Sequence, residues 1–383
     1  MEISFHKPYI TDDDIAEVID SMRSGWITMG PKTIDFENNF AQYIGSKNAV
    51  SMNSCTSCLH LALRAIGLED GDEVIVPAIT FTATAEVVTY FNAKPVLVDV
   101  EGETYNIDVS KIEEKISKKT KAIIPVHYAG QPCDMDEISD IAGRYKLYVI
   151  EDAAHAIPAW YKKKKIGTIG DITCFSFYAT KPLTTGEGGM ACTDNDEWAD
   201  NMRIMRLHGI SRDAWNRYSN EGSWYYEVVD AGYKYNMTDI QAALGLGQLK
   251  KIEWMWNRRK EIAGKYTKAF KSLNEVTTPY VKTDRESAWH LYVLSLNLEM
   301  LRIERNQFIT ELKKIGVNTS VHFIPLYRHP YYRDNMNYKS QDFPASESIF
   351  KRIISLPVYP GMTDGEVERV VEAVGDVVSK YRK

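Results

Sequence analysis

Between about residues 48 and 195, the chain alternates short apolar runs with amphipathic stretches such as residues 58–68 and 136–145. Strands that are apolar on both faces and separated by helices are typical of a parallel sheet that helices cover on both sides. The pattern therefore predicts an α/β fold built on a mostly parallel, seven-stranded sheet. Its strands are expected at residues 49–53, 73–78, 94–100, 121–127, 147–153, 172–177 and 189–193.

The pattern changes further along the chain, where residues 238–272 keep a long helical period without proline. This stretch predicts a helical segment that leads from a first domain into a second one. The elements expected after it are a strand at 290–298, a helix at 303–316, a strand around 317–323 and a last helix at 364–381.

We therefore predict a large domain over residues 1–255 and a smaller C-terminal α+β domain over residues 256–383. The N-terminal segment is a candidate to pack on the smaller domain. Thr363 and Glu366 have the spacing of a capping box, which marks the start of the last helix.

The composition narrows the class of protein. The chain has 383 residues, of which 44% are hydrophobic and 26% charged, as in ordinary soluble proteins. A net charge of -6 argues against nucleic acid or an anionic membrane as the main partner. No run approaches the roughly 20 apolar residues of a membrane span, and the first residues lack a signal-peptide pattern.

The five cysteines are an odd number without the spacing of a disulfide framework, which fits a reducing cytoplasm. Cys55 and Cys58 form a C-x-x-C motif, but the chain has no second such pair. A packing role is therefore favoured over a redox or zinc role, and we predict no metal site.

Polar residues follow several of the apolar runs, at the sheet edge where α/β proteins bind their ligands. Residues 53–57 open a helix after the first strand, and the free N–H groups and hydroxyls there suit a phosphate. Simple capping by Ser54 or Thr56 is the alternative explanation.

Two adjacent acids, Glu151 and Asp152, close another buried strand, where carboxylates are costly unless they are paired. One of them could hold a protonated ring nitrogen, and His155 could touch the same ligand. A magnesium ion or a structural salt bridge would also explain the pair of acids.

Lys181 follows the strand that contains Ser176 and precedes a glycine-rich turn. Burial lowers the pKa of a lysine, which a Schiff-base lysine requires. Phe81, just past another strand, could stack on a planar ring. An exposed lysine and a core phenylalanine are the ordinary alternatives, but together these groups meet the needs of pyridoxal 5'-phosphate (PLP).

Three motifs make the pattern specific: EDAAHA at 151–156, FSFYATK at 175–181 and GEGG at 186–189. With them, the chain resembles the DegT/DnrJ/EryC1/StrS family of sugar aminotransferases over almost its full length. The resemblance implies the fold of a fold-type I PLP-dependent transferase. It also implies that Lys181 forms the Schiff base and transfers protons. Some relatives have histidine at this position and perform dehydration, so the lysine here favours transamination.

The resemblance implies roles for other residues as well. Asp152 would pair with the pyridine nitrogen, Phe81 would stack on the ring, and His155, where many relatives have glutamine, would lie near the ring oxygen. The phosphate would be bound by Thr56, Ser57 and Ser176. Asn236, or alternatively Lys234, would reach the phosphate of a neighbouring subunit, which implies a homodimer with shared active sites.

The implied reaction moves an amino group from glutamate to a nucleotide-linked keto sugar, for amino-sugar or surface-polysaccharide synthesis. A 4-keto sugar is favoured and a 3-keto sugar stays open. The candidate substrate contacts are Trp26, Thr28, His208, His322 and Tyr327.

Other interpretations are less favoured. Lys162–Lys165 could meet a diphosphate, but a solvated turn explains four lysines better. A non-catalytic regulatory protein on the same scaffold would not need Lys181 and Asp152. A NAD-dependent dehydrogenase is disfavoured because no G-x-G-x-x-G follows the first strand.

Overall fold

The computed structural model describes residues 2–211 and 225–383, and its central feature is a seven-stranded sheet in the order β1-β9-β8-β5-β4-β2-β3. Every neighbouring pair is parallel except those that β9 forms with β1 and β8. This confirms the predicted mostly parallel sheet. The strands are β1 Asn48–Met52, β2 Glu73–Pro77, β3 Lys94–Val98, β4 Thr120–Ile123, β5 Tyr148–Asp152, β6 Trp160–Tyr161, β7 Lys164–Lys165, β8 Ile172–Ser176, β9 Gly189–Thr193, β10 Val276–Thr277, β11 Arg285–Glu286, β12 Tyr292–Leu296 and β13 Ile353–Leu356.

Helices cover both faces of this sheet, as near-continuous apolar strands require. One face packs against a cluster that includes Phe36, Phe40 and Phe177, and the other against a cluster that includes Leu59 and Met202. The helices are α1 Asp12–Ser24, α2 Pro31–Ile44, α3 Cys55–Ala65, α4 Ala83–Thr89, α5 Met135–Tyr145, α6 Asp196–Met205, α7 Asp239–Lys250, α8 Ile252–Phe270, α9 Arg305–Lys314, α10 Pro330–Met336, α11 Pro344–Arg352 and α12 Asp364–Tyr381.

The helical segment expected at 238–272 is divided into α7 and α8 at Lys251, whose backbone angles are φ -117° and ψ 11°. The ammonium of Lys251 donates to the Thr11 hydroxyl at 2.9 Å and pairs with Asp14. Because these partners belong to the start of α1, the break lies where the N-terminal helix crosses the segment. Local periodicity contains no signal of this long-range contact.

The C-terminal part contains a three-stranded antiparallel sheet, β10-β12-β13. The last helix begins after the Thr363–Glu366 capping box, as predicted. The strand expected around 317–323 does not form. Val317 and Ser320 make only isolated bridges, with Ile3 and Ser355, because each faces a different segment of the chain.

Core contacts cross residue 255 in both directions, so the division into 1–255 and 256–383 stays a prediction. Ile3 lies in the hydrophobic cluster of the C-terminal part. Conversely, Leu326 and Phe343 belong to the cluster on one face of the large sheet. In the part of the chain that the structure describes, no helix is long and apolar enough to cross a membrane.

Candidate active site

A cavity of about 450 Å³ lies at the carboxyl ends of the parallel strands. The sheet register explains why residues far apart in sequence meet there. Asp152 pairs with Cys174 and Ser176 pairs with Gly189, so the ends of β5 and β8 and the start of β9 share one edge. The predicted site residues that line the cavity are Thr56, Phe81, Asp152, His155, Ser176, Lys181 and His322.

Lys181 is held at the cavity by a tight turn, in which its N–H donates to the carbonyl of Tyr178 at 2.9 Å. Burial lowers the pKa of its ammonium to about 8, although the nearby charge of Asp152 acts in the opposite direction. The side chain forms no salt bridge with any residue in the described ranges. A lysine with this pKa keeps a reactive neutral fraction near neutral pH.

Asp152 is buried at the end of β5 and is oriented by two donors. The Thr84 hydroxyl donates to one carboxylate oxygen at 2.7 Å, and the backbone N–H of Ala154 donates to the other at 3.1 Å. Burial raises the pKa of Asp152, while these hydrogen bonds and the charge of Lys181 partly offset that effect. A carboxylate fixed in this way can accept a hydrogen bond from a protonated ring nitrogen.

Its neighbour Glu151 has a different environment. Its carboxylate contacts His127 at 2.8 Å, the N–H of Gly170 at 2.8 Å and the hydroxyl of Thr173 at 2.7 Å. Burial acts to raise the pKa of Glu151, but the hydrogen bond from His127 and the other donors lower it below the ordinary value. Of the two acids, Glu151 is therefore the structural one, because its carboxylate is bound by donors of the fold. The described residues contain no group of acids, cysteines and histidines that could hold a metal.

The start of α3 provides a site for an anion. Ser54 caps the helix by accepting the N–H of Ser57 at 3.1 Å, and Thr56 in the first turn lines the cavity. First-turn N–H groups have no acceptor within their own helix and attract negative charge. Ser57 does not line the cavity, because its hydroxyl donates to the Asn53 side chain at 2.6 Å.

Phe81 lies at the cavity with 58% of its surface exposed, which is unusual for a phenylalanine. Its ring centroid is 5.9 Å from that of Phe323, which also lines the cavity. The exposed ring is available to stack on a planar ligand.

Three histidines line the same cavity: His155, His290 and His322. Burial lowers the pKa of His322 to about 4, and burial also lowers those of His155 and His290 well below the ordinary value. The sequence analysis did not select His290. The available signal was a histidine directly before the apolar run that forms β12, in the segment AWHLYVL.

The other predicted residues do not line the cavity of their own chain. The Tyr327 hydroxyl donates to Glu347 at 3.1 Å, and its ring stacks on Phe343 in the core. Asn236 is buried and donates to the carbonyl of Met237 at 3.2 Å. The remaining predicted site residues are exposed and lie outside the cavity: Trp26, Thr28, His208 and Lys234.

The C-x-x-C motif and the run of four lysines both have structural explanations. Burial raises the pKa of Cys55 and Cys58, which disfavours the thiolate that redox or zinc chemistry needs. Lys162–Lys165 form the turn after β6 and strand β7, outside the cavity. Lys162 pairs there with Asp136 at 2.8 Å.

A poorly paired amine, a buried carboxylate, a helix start with hydroxyls and an exposed aromatic ring fit the aldehyde, ring nitrogen, phosphate and ring face of PLP. The fold and this site define a PLP-dependent aminotransferase of fold-type I. The sequence profile of the DegT/DnrJ/EryC1/StrS aminotransferase family matches residues 8–375, and the chain belongs to this family.

Known proteins similar to this chain agree with that class. The spore coat polysaccharide biosynthesis protein SpsC of Bacillus subtilis is 50% identical, over 98% of this chain and 97% of SpsC. The UDP-4-amino-4-deoxy-L-arabinose--oxoglutarate aminotransferase of Shewanella sediminis is 39% identical, over 97% of both chains. The solved PLP form of Spr1654 from Streptococcus pneumoniae is 36% identical, with a TM-score of 0.93 over 99% of both chains.

Proposed function

We propose that this sugar aminotransferase moves an amino group from glutamate to a nucleotide-linked 4-keto sugar, in the synthesis of an amino sugar for a polysaccharide. The observation that carries the proposal is that Lys181 and Asp152 line the same cavity. The amine of Lys181 has a lowered pKa and forms no salt bridge with the described residues, and the carboxylate of Asp152 is held in place by hydrogen bonds. The Shewanella relative's name supports the amino position and the oxoglutarate–glutamate couple. The name of SpsC supports a polysaccharide product.

PLP, when bound, withdraws electrons from the carbon that bears the transferred amino group. Asp152 would keep the ring nitrogen protonated, which sustains that withdrawal. Lys181 would take the proton from the α-carbon of the amino donor as a general base, and as a general acid would deliver it to the C4′ carbon of the cofactor, on the other side of the transferred nitrogen. Phe81 would cover one face of the ring and exclude water from it.

The phosphate would be held by Thr56, Ser176 and the first-turn N–H groups of α3. Ser57 would support this site without touching the phosphate, since its hydroxyl contacts Ser54 and Asn53 rather than the cavity. His322 would contact the substrate from the C-terminal part of the chain. Tyr327 would position the segment that carries His322, because its hydroxyl is already bound to Glu347.

We further propose that the enzyme is a homodimer in which each chain completes the site of the other. Lys234, Trp26, Thr28 and His208 are exposed outside their own cavity, where a second chain could use them. Exposure favours Lys234 over the buried Asn236 as the side chain that reaches the partner's phosphate. Mixed dimers of Lys181→Ala and Lys234→Ala chains would then regain activity that neither variant has alone.

The reaction itself is tested in two half-reactions. Adding glutamate to the PLP-loaded protein would convert the absorbance of PLP to that of pyridoxamine phosphate. The converted protein would then be mixed with UDP-linked 4-keto and 3-keto sugars, and the aminated carbon assigned by NMR. Amination at carbon 3 would contradict the 4-keto proposal, and binding of PLP without any change on adding glutamate would favour a regulatory protein.

A further inference from the structure

Two histidines from different parts of the chain meet at the cavity. His155 follows β5 and His290 precedes β12, yet their ring centroids are 4.5 Å apart with an angle of 48° between the planes. Both rings are buried, with 4% and 6% of their surface exposed, and both line the cavity with Lys181. Two imidazoles in contact beside the reactive amine need an explanation beyond packing.

The hydrogen bonds of His155 locate its proton. Its Nδ1 atom accepts the backbone N–H of Ala129 at 3.2 Å. Burial and then the charge of Lys181 hold the pKa of His155 well below its ordinary value, so the ring is neutral. A neutral imidazole with a lone pair on Nδ1 carries its proton on Nε2. That N–H has no acceptor among residues 2–211 and 225–383.

His290 is a second neutral ring in which the proton is favoured on Nε2. Its Nδ1 atom is enclosed by protein and has no hydrogen-bond partner in the described part of the chain. Burial lowers the pKa of His290 well below its ordinary value, so this ring is also neutral. A proton on the enclosed Nδ1 would lack an acceptor, whereas a proton on Nε2 can meet a ligand. The arrangement therefore favours an Nε2–H donor once the cavity is filled.

We propose that His155 and His290 form a two-donor site for one negatively charged oxygen of the ligand that lies beside Lys181. The inference rests on the proposed function and adds His290 to the binding residues. Two chemical sources fit: the ring oxygen of the cofactor, or a carboxylate oxygen of the amino donor. Neutral donors held rigidly in a buried site stabilise such an oxygen without a counter-ion.

The first measurement is of binding rather than turnover. Pyridoxamine 5'-phosphate and its 3-O-methyl ether would be titrated calorimetrically into the apo-protein, because the ether cannot carry the negative charge on its ring oxygen. The variants are His290→Leu, which removes the donor, and His290→Gln, which restores an N–H near Nε2. His60→Leu is the matched control, since His60 is a buried histidine that contacts Tyr235 and does not line the cavity.

If the cofactor supplies the oxygen, His290→Leu weakens binding of pyridoxamine phosphate about tenfold or more. The same variant changes binding of the ether by less than about twofold, and His290→Gln recovers most of the loss. His60→Leu leaves the ratio of the two affinities unchanged. Using the ratio within each variant separates a lost hydrogen bond from a general loss of folded protein.

A different result identifies the other source. If both affinities stay unchanged while His290→Leu raises KM for glutamate about tenfold at constant kcat, the oxygen belongs to the donor and the two-donor site stands. Equal weakening of both compounds would reduce His290 to a packing residue and overturn the proposal, as would no effect on any measurement. A wild-type protein that binds no pyridoxamine phosphate would overturn the proposed function, and this inference with it.

Discussion

The two sides of the cavity come from different parts of the chain and carry different chemistry. The sheet side, formed by Phe81, Asp152 and Lys181, holds an acid and an amine whose protonation matters for the reaction. The C-terminal side, formed by His290 and His322, presents rings whose pKa burial lowers, so that they are neutral. On the proposed function, Lys181 on the sheet side would transfer the proton, while His290 and His322 on the C-terminal side would recognise the ligand by hydrogen bonds.

The largest effect is expected from Lys181→Ala, which removes the only proposed proton-transfer group on the sheet side. We expect the glutamate half-reaction to slow by about 10³-fold or more, since general acid–base catalysis contributes effects of this size. Stopped-flow absorbance of the cofactor measures the rate. Lys119→Ala, at an exposed lysine outside the cavity, is the control. A loss of less than about tenfold would move proton transfer to another residue.

The adjacent acids give the second test, because their roles are expected to separate. Asp152→Asn would lower kcat by about 10²-fold or more by weakening charge stabilisation, with little loss of stability. Glu151→Gln would instead destabilise the apo-protein by about 2 kcal/mol or more, since it replaces a carboxylate that accepts buried hydrogen bonds from His127, Gly170 and Thr173. Steady-state kinetics and urea unfolding distinguish the two effects. Catalytic loss in Glu151→Gln without destabilisation would reverse the assignment.

A pH titration of the apo-protein tests the electrostatics of the sheet side. Because the pKa of Lys181 is lowered to about 8, its amine becomes reactive as the pH rises through about 8. The amine of an exposed lysine becomes reactive only at a higher pH. The charge of Asp152 raises this pKa, so Asp152→Asn would move the midpoint to lower pH. Acetylation rates, resolved by peptide mass spectrometry, report the midpoint. A midpoint near 10.5, the ordinary pKa of a lysine, would show that burial does not perturb the amine.

The smallest effect is expected from Phe81→Leu, which keeps an apolar side chain but removes the aromatic face. Loss of stacking would weaken pyridoxamine phosphate about two- to tenfold, as expected for about 0.5–1.5 kcal/mol. Tyr331→Leu, at an exposed aromatic residue outside the cavity, would leave the affinity unchanged. An unchanged affinity in Phe81→Leu would place this ring away from the cofactor.

The sheet side could be predicted because its residues follow buried parallel strands. Each parallel strand ends at the same edge of the sheet, so the sequence alone predicts that Asp152 and Lys181 lie close together. The mostly parallel sheet and the last helix with its Thr363 cap were predictable for the same reason: their signals are local in sequence.

The C-terminal side was harder to predict, because its geometry depends on contacts between distant segments. His290 precedes a strand of the small antiparallel sheet, to which the rule for parallel strands does not apply. The segment around His322 forms isolated bridges rather than the predicted strand, and Tyr327 packs into the core of the large sheet. Lys251 likewise ends α7 through partners in the N-terminal helix.

The identity of the lysine that binds PLP can be measured directly. Borohydride reduction of the PLP-loaded protein fixes the imine as a stable amine, and peptide mass spectrometry locates the modified side chain. We expect the label on Lys181, at one per chain, and its loss in Lys181→Ala. A label on another lysine, with Lys181 unmodified, would contradict the assignment of this cavity as the active site.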